Sequence, residues 1–147
     1  MGIELGEFPA LPKQESGRSA RLSYMGGTPS KYSRTGREVL ERMRSEGKIE
    51  GEGPLLRGNP NNLKLIADDG QLIRIDSKID MAHTVDAVTW WNNFGREFGP
   101  KSPEVRKFML DSGNYIFQPS SKNRAEGARL GQTYQPPLVP GFTILVK

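Results

Sequence analysis

The distribution of apolar positions divides the chain into an unpatterned first part and a patterned remainder. Residues 1–33 are rich in Gly, Pro and Ser, and their apolar residues recur with neither the helical nor the strand period. We therefore expect an extended, flexible arm or linker there, in which only Leu22, Tyr24 and Met25 form a cluster able to dock on a core. The patterned part, residues 34–147, is expected to hold the folded domain.

A first amphipathic helix is predicted over residues 36–46. Thr35 followed by Glu38 has the spacing of a capping box, and Gly47 is suited to the C-terminal end. Because the helical period groups its apolar residues on one side, we expect that side to pack on a core. The apolar residues of this face are Val39, Leu40 and Met43.

A β-hairpin is predicted after the helix. Two apolar runs, residues 63–67 and 71–75, flank Asp69 and Gly70, and Asp-Gly is a common pair at the tip of a tight hairpin. A hairpin followed and preceded by helices belongs to the α+β fold class, which we expect for this chain, with flanking helices and an extended N-terminal arm.

Further elements are predicted downstream of the hairpin. Ser102 begins a helix, residues 114–118 can form a short strand, residues 123–130 lie on a helix, and residues 142–146 are expected to form a closing strand. Residues 84–94 are also expected to be helical, because their apolar residues recur at three- and four-residue spacing. Those apolar residues are Val85, Val88, Trp91 and Phe94.

Composition adds a bias toward a polyanionic partner. The 147 residues suit one domain, and 35% of them are hydrophobic, which is low for a globular domain. Lys and Arg number 21 against 17 Asp and Glu, a net charge of +4. A basic chain favours nucleic acid as a partner, although many soluble proteins are equally basic without binding it.

Cysteine and membrane signals are both missing from the sequence. Without cysteine the chain forms no disulfide and offers no thiolate, so a metal would bind oxygen atoms or imidazole. No apolar run approaches the roughly 20 residues of a membrane span, and the start lacks a secretory signal pattern. We expect a soluble protein with no membrane partner, which would need another export route to act outside its producer.

The candidate chemistry lies around the single histidine and a segment about forty residues downstream. His83 has acidic neighbours at Asp80 and Asp86, but a lone histidine is more often a surface or packing residue than a catalytic one. Asn123 and Glu126 lie three residues apart on the predicted helix and therefore share a face. There an amide oxygen and a carboxylate can share a hard divalent cation.

These segments resemble the HNH and endonuclease VII superfamily of His-Me finger nucleases. Asp80-Met81-Ala82-His83 resembles the Asp-x-Gly-His box, with Ala82 where the glycine would stand. Asn114-Tyr115 and then Asn123-Arg124-Ala125-Glu126 resemble the Asn-Tyr and Asn-Arg-Ser-His blocks. With glutamate in place of the final histidine, the chain resembles the toxin-associated GH-E subgroup. Residues 54–62 and 90–92 are similar to that subgroup as well. The resemblance spans residues 35–131.

The resemblance implies a ββα-metal core around residues 76–131 that cleaves phosphodiesters. It implies that His83 is the general base and that Asn123 and Glu126 hold a cation, with Mg²⁺ or Mn²⁺ favoured over Zn²⁺ because glutamate is a hard ligand. Asp80 is either a further metal ligand or a hydrogen-bonding residue of the loop, and Asp86 fits a first-turn helix acid. The hypothesis requires His83 and the cation ligands to converge on one phosphate.

Substrate contacts are less well specified by the sequence. Four basic residues lie within or beside the matched segments and are candidates for neutralising phosphates, or they belong to an ordinary solvated surface. Trp90 and Trp91 could stack on bases, but core packing is the better interpretation for both and for Tyr115. The four basic residues are Arg57, Lys122, Arg124 and Arg129.

The leading functional hypothesis is a metal-dependent endonuclease that hydrolyses DNA, with RNA not excluded. The resemblance places it as the effector domain of a bacterial polymorphic toxin. Such a domain is exported as part of a larger polypeptide, acts in the target-cell cytoplasm and is masked in the producer by a cognate immunity protein. Two alternatives are a metal-independent ribonuclease that uses the ribose 2′-hydroxyl, and a nucleic-acid-binding module without activity.

Overall fold

The computed structural model describes residues 17–58 and 61–139 and shows a mixed α+β fold. Six α-helices and five strands are present in this part of the chain, together with one π-helical and one 3-10 turn. In chain order the elements are α1 (Gly17–Tyr24), α2 (Arg34–Ser45), β1 (Ile49–Glu50), β2 (Lys64–Ile66), β3 (Leu72–Arg74), β4 (Ile79–His83), α3 (Ala87–Trp90), the π-helical turn (Trp91–Gly95), α4 (Arg96–Phe98), α5 (Pro103–Leu110), the 3-10 turn (Ser112–Asn114), β5 (Tyr115–Pro119) and α6 (Ser120–Leu130).

One of two compact units contains both sheets and comprises residues 28–84 and 110–131. β1, β2 and β3 form an antiparallel sheet in that order, and β4 pairs antiparallel with β5. Apolar side chains of α2, of both sheets and of the adjoining loops form one buried cluster, so burial of apolar surface holds these elements together. Its members are Val39, Leu40, Met43, Ile49, Leu55, Leu63, Leu65, Ile75, Ile79, Tyr115 and Phe117.

Helix α2 begins two residues earlier than the sequence pattern predicts. Its N-cap is Ser33, whose hydroxyl accepts a hydrogen bond from the backbone N–H of Gly36. Thr35 lies inside the helix, where its hydroxyl is buried and donates to the carbonyl of Leu110 at 2.9 Å. The predicted end is confirmed, because Gly47 follows the helix with φ +79° and its N–H donates to the Arg44 carbonyl.

The predicted hairpin is confirmed as β2 and β3. Leu65 pairs with Ile73 at its centre, and Gly70 adopts φ +86° in the turn, a conformation that glycine takes without steric cost. The Asp69 carboxylate accepts a hydrogen bond from the backbone N–H of Gln71. Strand β1 was not predicted, because two residues are too few to show a period.

The other unit comprises residues 17–27, 85–109 and 132–139 of the described chain. The expectation of an unpacked arm over residues 1–33 is corrected for its second half, because α1 is helical and both Tyr24 and Met25 are buried. Tyr24 stacks on Trp91 with ring centroids 4.8 Å apart, while Leu22 is exposed. Residues 1–16 lie outside the described part of the chain.

The predicted helix over residues 84–94 differs from the observed structure in its start and in its phase. The α-helix begins only at Ala87 and passes into the π-helical turn, whose wider turn shifts the helical face. Val88 and Trp91 are buried as predicted, whereas Val85 and Phe94 are exposed. Trp91 is fully buried, which confirms its assignment to the core.

The remaining predictions agree where the structure describes the chain. Ser102 caps α5 by accepting a hydrogen bond from the Val105 N–H, and β5 and α6 lie where the pattern places them. Ala82 is a regular strand residue, since Lys101 is the one non-glycine residue of positive φ in the described segments. The predicted closing strand at residues 142–146 lies outside the described residues. None of the described helices is long and apolar enough to cross a bilayer.

Candidate metal centre

The hairpin formed by β4 and β5 places its side chains on two faces according to the register. Asp80 lies opposite Gln118, and His83 lies opposite Tyr115. Directly opposed residues of an antiparallel pair share a face, and successive residues alternate between faces. Asp80 and Gln118 therefore share one face, and His83 and Tyr115 occupy the other.

Asp80 is joined to the start of α6 by two hydrogen bonds. Ser120 Oγ donates to Asp80 Oδ1 at 2.7 Å, and Asn123 Nδ2 donates to Asp80 Oδ2 at 3.1 Å. Burial alone would raise the pKa of the Asp80 carboxyl. The two hydrogen bonds and the positive charges of Arg124 and Lys31 outweigh burial, so the pKa lies below its ordinary value and Asp80 is ionised at neutral pH.

Gln118 is joined to the next turn of α6. Its Nε2 donates to Glu126 Oε1 at 3.3 Å. The side chain is buried with 8% of its surface exposed, and its Oε1 atom accepts no hydrogen bond from any described residue. Both polar strand residues thus contact α6: Asp80 contacts Ser120 and Asn123, and Gln118 contacts Glu126.

These four residues form what we call the oxygen cluster: Asp80, Gln118, Asn123 and Glu126. Two carboxylates and two carboxamides offer oxygen atoms alone, which are the ligands that Mg²⁺, Mn²⁺ and Ca²⁺ prefer. A buried acceptor without a donor is one of the features that a bound cation would explain. The described residues contain no group of three or more His, Cys, Asp or Glu placed to hold a metal, so any cation here would depend on the amide oxygens.

The strand register places His83 on the face of the hairpin opposite to the oxygen cluster. Its ring packs on Tyr115 with 4.5 Å between centroids, and its Nε2 atom is buried. Tyr115 itself is fully buried, as the sequence predicts, so the imidazole lies against the apolar core. The structure joins Asn123 to Asp80 and Glu126 to Gln118, the cross-strand neighbour of Asp80, and it places His83 on the opposite face.

The basic residues predicted to contact substrate occupy different surroundings. The Arg57 guanidinium lies over the Tyr32 ring at 4.7 Å, and Lys122 Nζ forms an ion pair with Asp68 at 3.1 Å. The charge of Arg124, which is exposed, acts on Asp80. Arg129 lies on α6, but its side chain is outside the described part. Of the three described residues, Arg124 acts through its charge on Asp80 of the oxygen cluster, and Lys122 acts on Glu126 as well as on Asp68.

A groove of about 480 Å³ lies beside the oxygen cluster in the same unit. Asp68 and Asp69 of the β2–β3 turn line it together with Gln118 and Lys122. The two carboxylates oppose a phosphate backbone on this side, since like charges repel.

Sequence reasoning identified three of the four members of the oxygen cluster and missed Gln118. The helical spacing revealed Asn123 and Glu126, and the motif revealed Asp80. Gln118 becomes visible only once β4 is known to pair with β5 in this register, because the pairing makes it the cross-strand neighbour of Asp80. Ser120 and Lys31 were missed for the same reason.

Comparison with protein-family models, with curated proteins and with solved structures finds no significant match for this chain. The assignment of a function therefore depends on the sequence motifs and on the geometry of the oxygen cluster.

Proposed function

We propose that this chain is a metal-dependent endonuclease that hydrolyses DNA phosphodiester bonds, built on a ββα-metal core. The observation that carries the proposal is the oxygen cluster, in which Asp80 and Gln118 of one hairpin face meet Asn123 and Glu126 of the following helix. A hairpin followed by a helix, with oxygen-bearing side chains between them, supports the ββα-metal core that the resemblance implies. Mg²⁺ or Mn²⁺ is the proposed cofactor.

Residues of the oxygen cluster would contribute to cation binding through their charge or through the orientation of their oxygen atoms. Asp80 and Glu126 supply negative charge, and the low pKa of Asp80 keeps its carboxylate ionised throughout the neutral range. Asn123 donates to Asp80 through its amide nitrogen, which leaves its amide oxygen for a ligand role. The cation, when bound, supplies positive charge that stabilises the phosphate as negative charge builds up on it. Glu126 is exposed, so this side of the cluster is open to a substrate phosphate.

His83 is the proposed general base, because it is the single histidine and follows Asp80 by three residues on the same strand. Its ring lies on the face of Tyr115, and a rotamer change cannot carry a strand side chain to the opposite face. This role therefore requires the backbone at His83, the last residue of β4, to rearrange when substrate binds. Catalytic groups commonly reach hydrogen-bonding distance only in the substrate complex. The role of His83 as general base can therefore be tested separately from cation binding by the oxygen cluster.

The geometry favours the proposed activity over a metal-independent ribonuclease. Such an enzyme would leave the oxygen cluster without a role, whereas a metal-dependent enzyme uses it. A nucleic-acid-binding module remains the second candidate, because exposed basic side chains such as Arg57 and Arg124 would suffice for it. It predicts binding of DNA without cleavage.

The biological setting follows from the resemblance to toxin-associated nucleases. We propose that the domain is the effector part of a larger exported toxin that acts in the cytoplasm of a target cell. Because the nuclease would damage its producer, a cognate immunity protein is the expected partner. Survival of cells that express the chain, with and without co-expression of a candidate immunity protein, tests this part.

A cleavage assay tests the activity itself. The purified chain is incubated with supercoiled plasmid and, separately, with total RNA, each with Mg²⁺ and with a chelator. We expect nicking of plasmid in Mg²⁺ and none in chelator. Cleavage of RNA in chelator would instead establish the metal-independent ribonuclease, and binding without cleavage under all conditions would establish the binding module.

A further inference from the structure

Gln118 is a buried amide whose two ends have different surroundings. Its nitrogen donates to Glu126, while its oxygen is buried and accepts no hydrogen bond from a described residue. Leaving such an acceptor without a partner is unfavourable, and buried polar atoms in folded proteins are seldom left so. The Oε1 atom of Gln118 therefore points to a ligand that the protein itself does not supply.

The surroundings of this oxygen atom fit a cation. Asp80, directly across the strand pair, is a carboxylate that already accepts hydrogen bonds from Ser120 and Asn123. Glu126, bonded to the other end of the same amide, is a second carboxylate. A neutral acceptor between two negative groups gains most from a positive ion, whereas an anion would be repelled. A charge close to a buried atom needs such pairing, which the two carboxylates supply.

We propose that Gln118 is a ligand of the cation through Oε1 and that it positions Glu126 through Nε2. This inference rests on the proposed function, since it names a further residue of the same site. One amide then performs both tasks, because its oxygen and nitrogen lie on the same planar group. The site holds two carboxylates and two amides, whose charge of −2 matches a divalent cation.

A carboxylate at position 118 would behave differently from the amide. Three carboxylates repel one another in the absence of a cation and attract it more strongly when it is present. Leucine, close to glutamine in volume, removes the oxygen ligand and the hydrogen bond to Glu126 together. The pair Gln118→Leu and Gln118→Glu therefore separates a ligand role from a packing role.

The experiment measures cation binding without reference to cleavage. Mn²⁺ is titrated into the native chain and followed by the electron paramagnetic resonance signal of the free ion, and the rise in thermal unfolding midpoint with Mn²⁺ is recorded in parallel. Gln71→Leu is the matched control, because Gln71 is an exposed glutamine of the same unit. We expect Gln118→Leu to raise the Kd for Mn²⁺ by about 10- to 100-fold, as supporting residues of metal sites do.

The outcomes separate this inference from the proposed function. Native-like Mn²⁺ affinity in Gln118→Leu overturns the role of Gln118 while the metal site stands. Mn²⁺ binding that depends on Gln118, in a chain that cleaves nothing, overturns the nuclease and retains the ligand. If Gln118→Leu fails to fold, Gln118→Glu decides, since we expect tighter binding and unchanged or weaker binding overturns the assignment. Absence of Mn²⁺ binding in the native chain overturns both.

Discussion

The imidazole ring of His83 packs on the phenol ring of Tyr115 with 4.5 Å between the ring centroids. This contact places the single histidine of the chain against a residue that is fully buried. A packing role and a catalytic role therefore make different predictions for the same position, because an aromatic substitute can replace the contact but not the proton transfer.

We expect both His83→Ala and His83→Phe to lose plasmid cleavage by about 10²- to 10⁴-fold, the usual contribution of a general base. His83→Phe preserves an aromatic contact with Tyr115, so its unfolding midpoint should stay closer to that of the native chain than the midpoint of His83→Ala. Cleavage rates and thermal unfolding are measured for both variants. Native cleavage in a stably folded His83→Phe chain would remove the base role and leave His83 as a packing residue.

From the surroundings of Asp80 we expect the stability of the fold to depend on pH in the acid range. Burial would raise the pKa of its carboxyl, but hydrogen bonds from Ser120 and Asn123 and the charges of Arg124 and Lys31 bring it below the ordinary value of 3.8. The folded state therefore favours the ionised form, and this stabilisation is present above pH 3.8 and lost as the pH falls through the lower folded pKa.

This effect is measured by urea unfolding of the native chain and of Asp80→Asn. The measurements run from about pH 2 to about pH 7, which brackets the ordinary carboxyl range. We expect the difference in unfolding free energy between the two chains to be constant near neutrality and to shrink below about pH 4. A difference that stays constant down to the lowest pH would show that the Asp80 carboxylate gains nothing from its neighbours.

We expect the π-helical turn to have no room for a side chain at position 95. A Cβ atom added there would lie 2.6 Å from the Trp91 ring, which is fully buried. We expect Gly95→Ala to lower the unfolding free energy by about 1–3 kcal/mol, the usual cost of overpacking a core. Gly127→Ala is the control, because a Cβ atom at this helical glycine meets nothing within 4 Å. That variant should be stabilised by about 0.5–1 kcal/mol, and an equal loss in both variants would contradict the steric explanation.

We expect substitutions of the basic residues of α6 to differ in their effect on DNA binding. Lys122 is paired with Asp68, and this ion pair raises the pKa of Lys122, whereas the charge of Arg124 acts on Asp80 at the oxygen cluster. We expect Arg124→Ala to weaken DNA binding more than Lys122→Ala. It should also reduce the slope of log affinity against log salt by about 1, as for one lost phosphate contact.

Asp68→Asn provides the opposite change at the same pair. Freeing Lys122 from its partner should strengthen DNA binding and steepen the salt dependence. Fluorescence anisotropy with a labelled duplex, measured in chelator so that no cleavage occurs, gives all three affinities. Equal losses for Arg124→Ala and Lys122→Ala would show that the charges of α6 act without regard to their neighbours.

Much of the local structure follows from the sequence because its causes are local. The periods of apolar residues, the Asp69-Gly70 turn, the glycine after α2 and the serine before α5 each act within a few residues. The spacing of Asn123 and Glu126 fixed their common face on α6 for the same reason. The π-helical turn is the exception, because no apolar period distinguishes it from an α-helix; within it, Gly95 lies close to the Trp91 ring.

The register between β4 and β5 belongs to the tertiary structure alone. The two strands lie more than thirty residues apart, and a shift of one residue would exchange their faces. That register makes Gln118 a neighbour of Asp80 and assigns His83 to the face of Tyr115. The sequence determined the elements and the ligand-bearing face of α6, since those depend on backbone period. Which side chains meet across the hairpin was decided by strand pairing, which packing of the core selects.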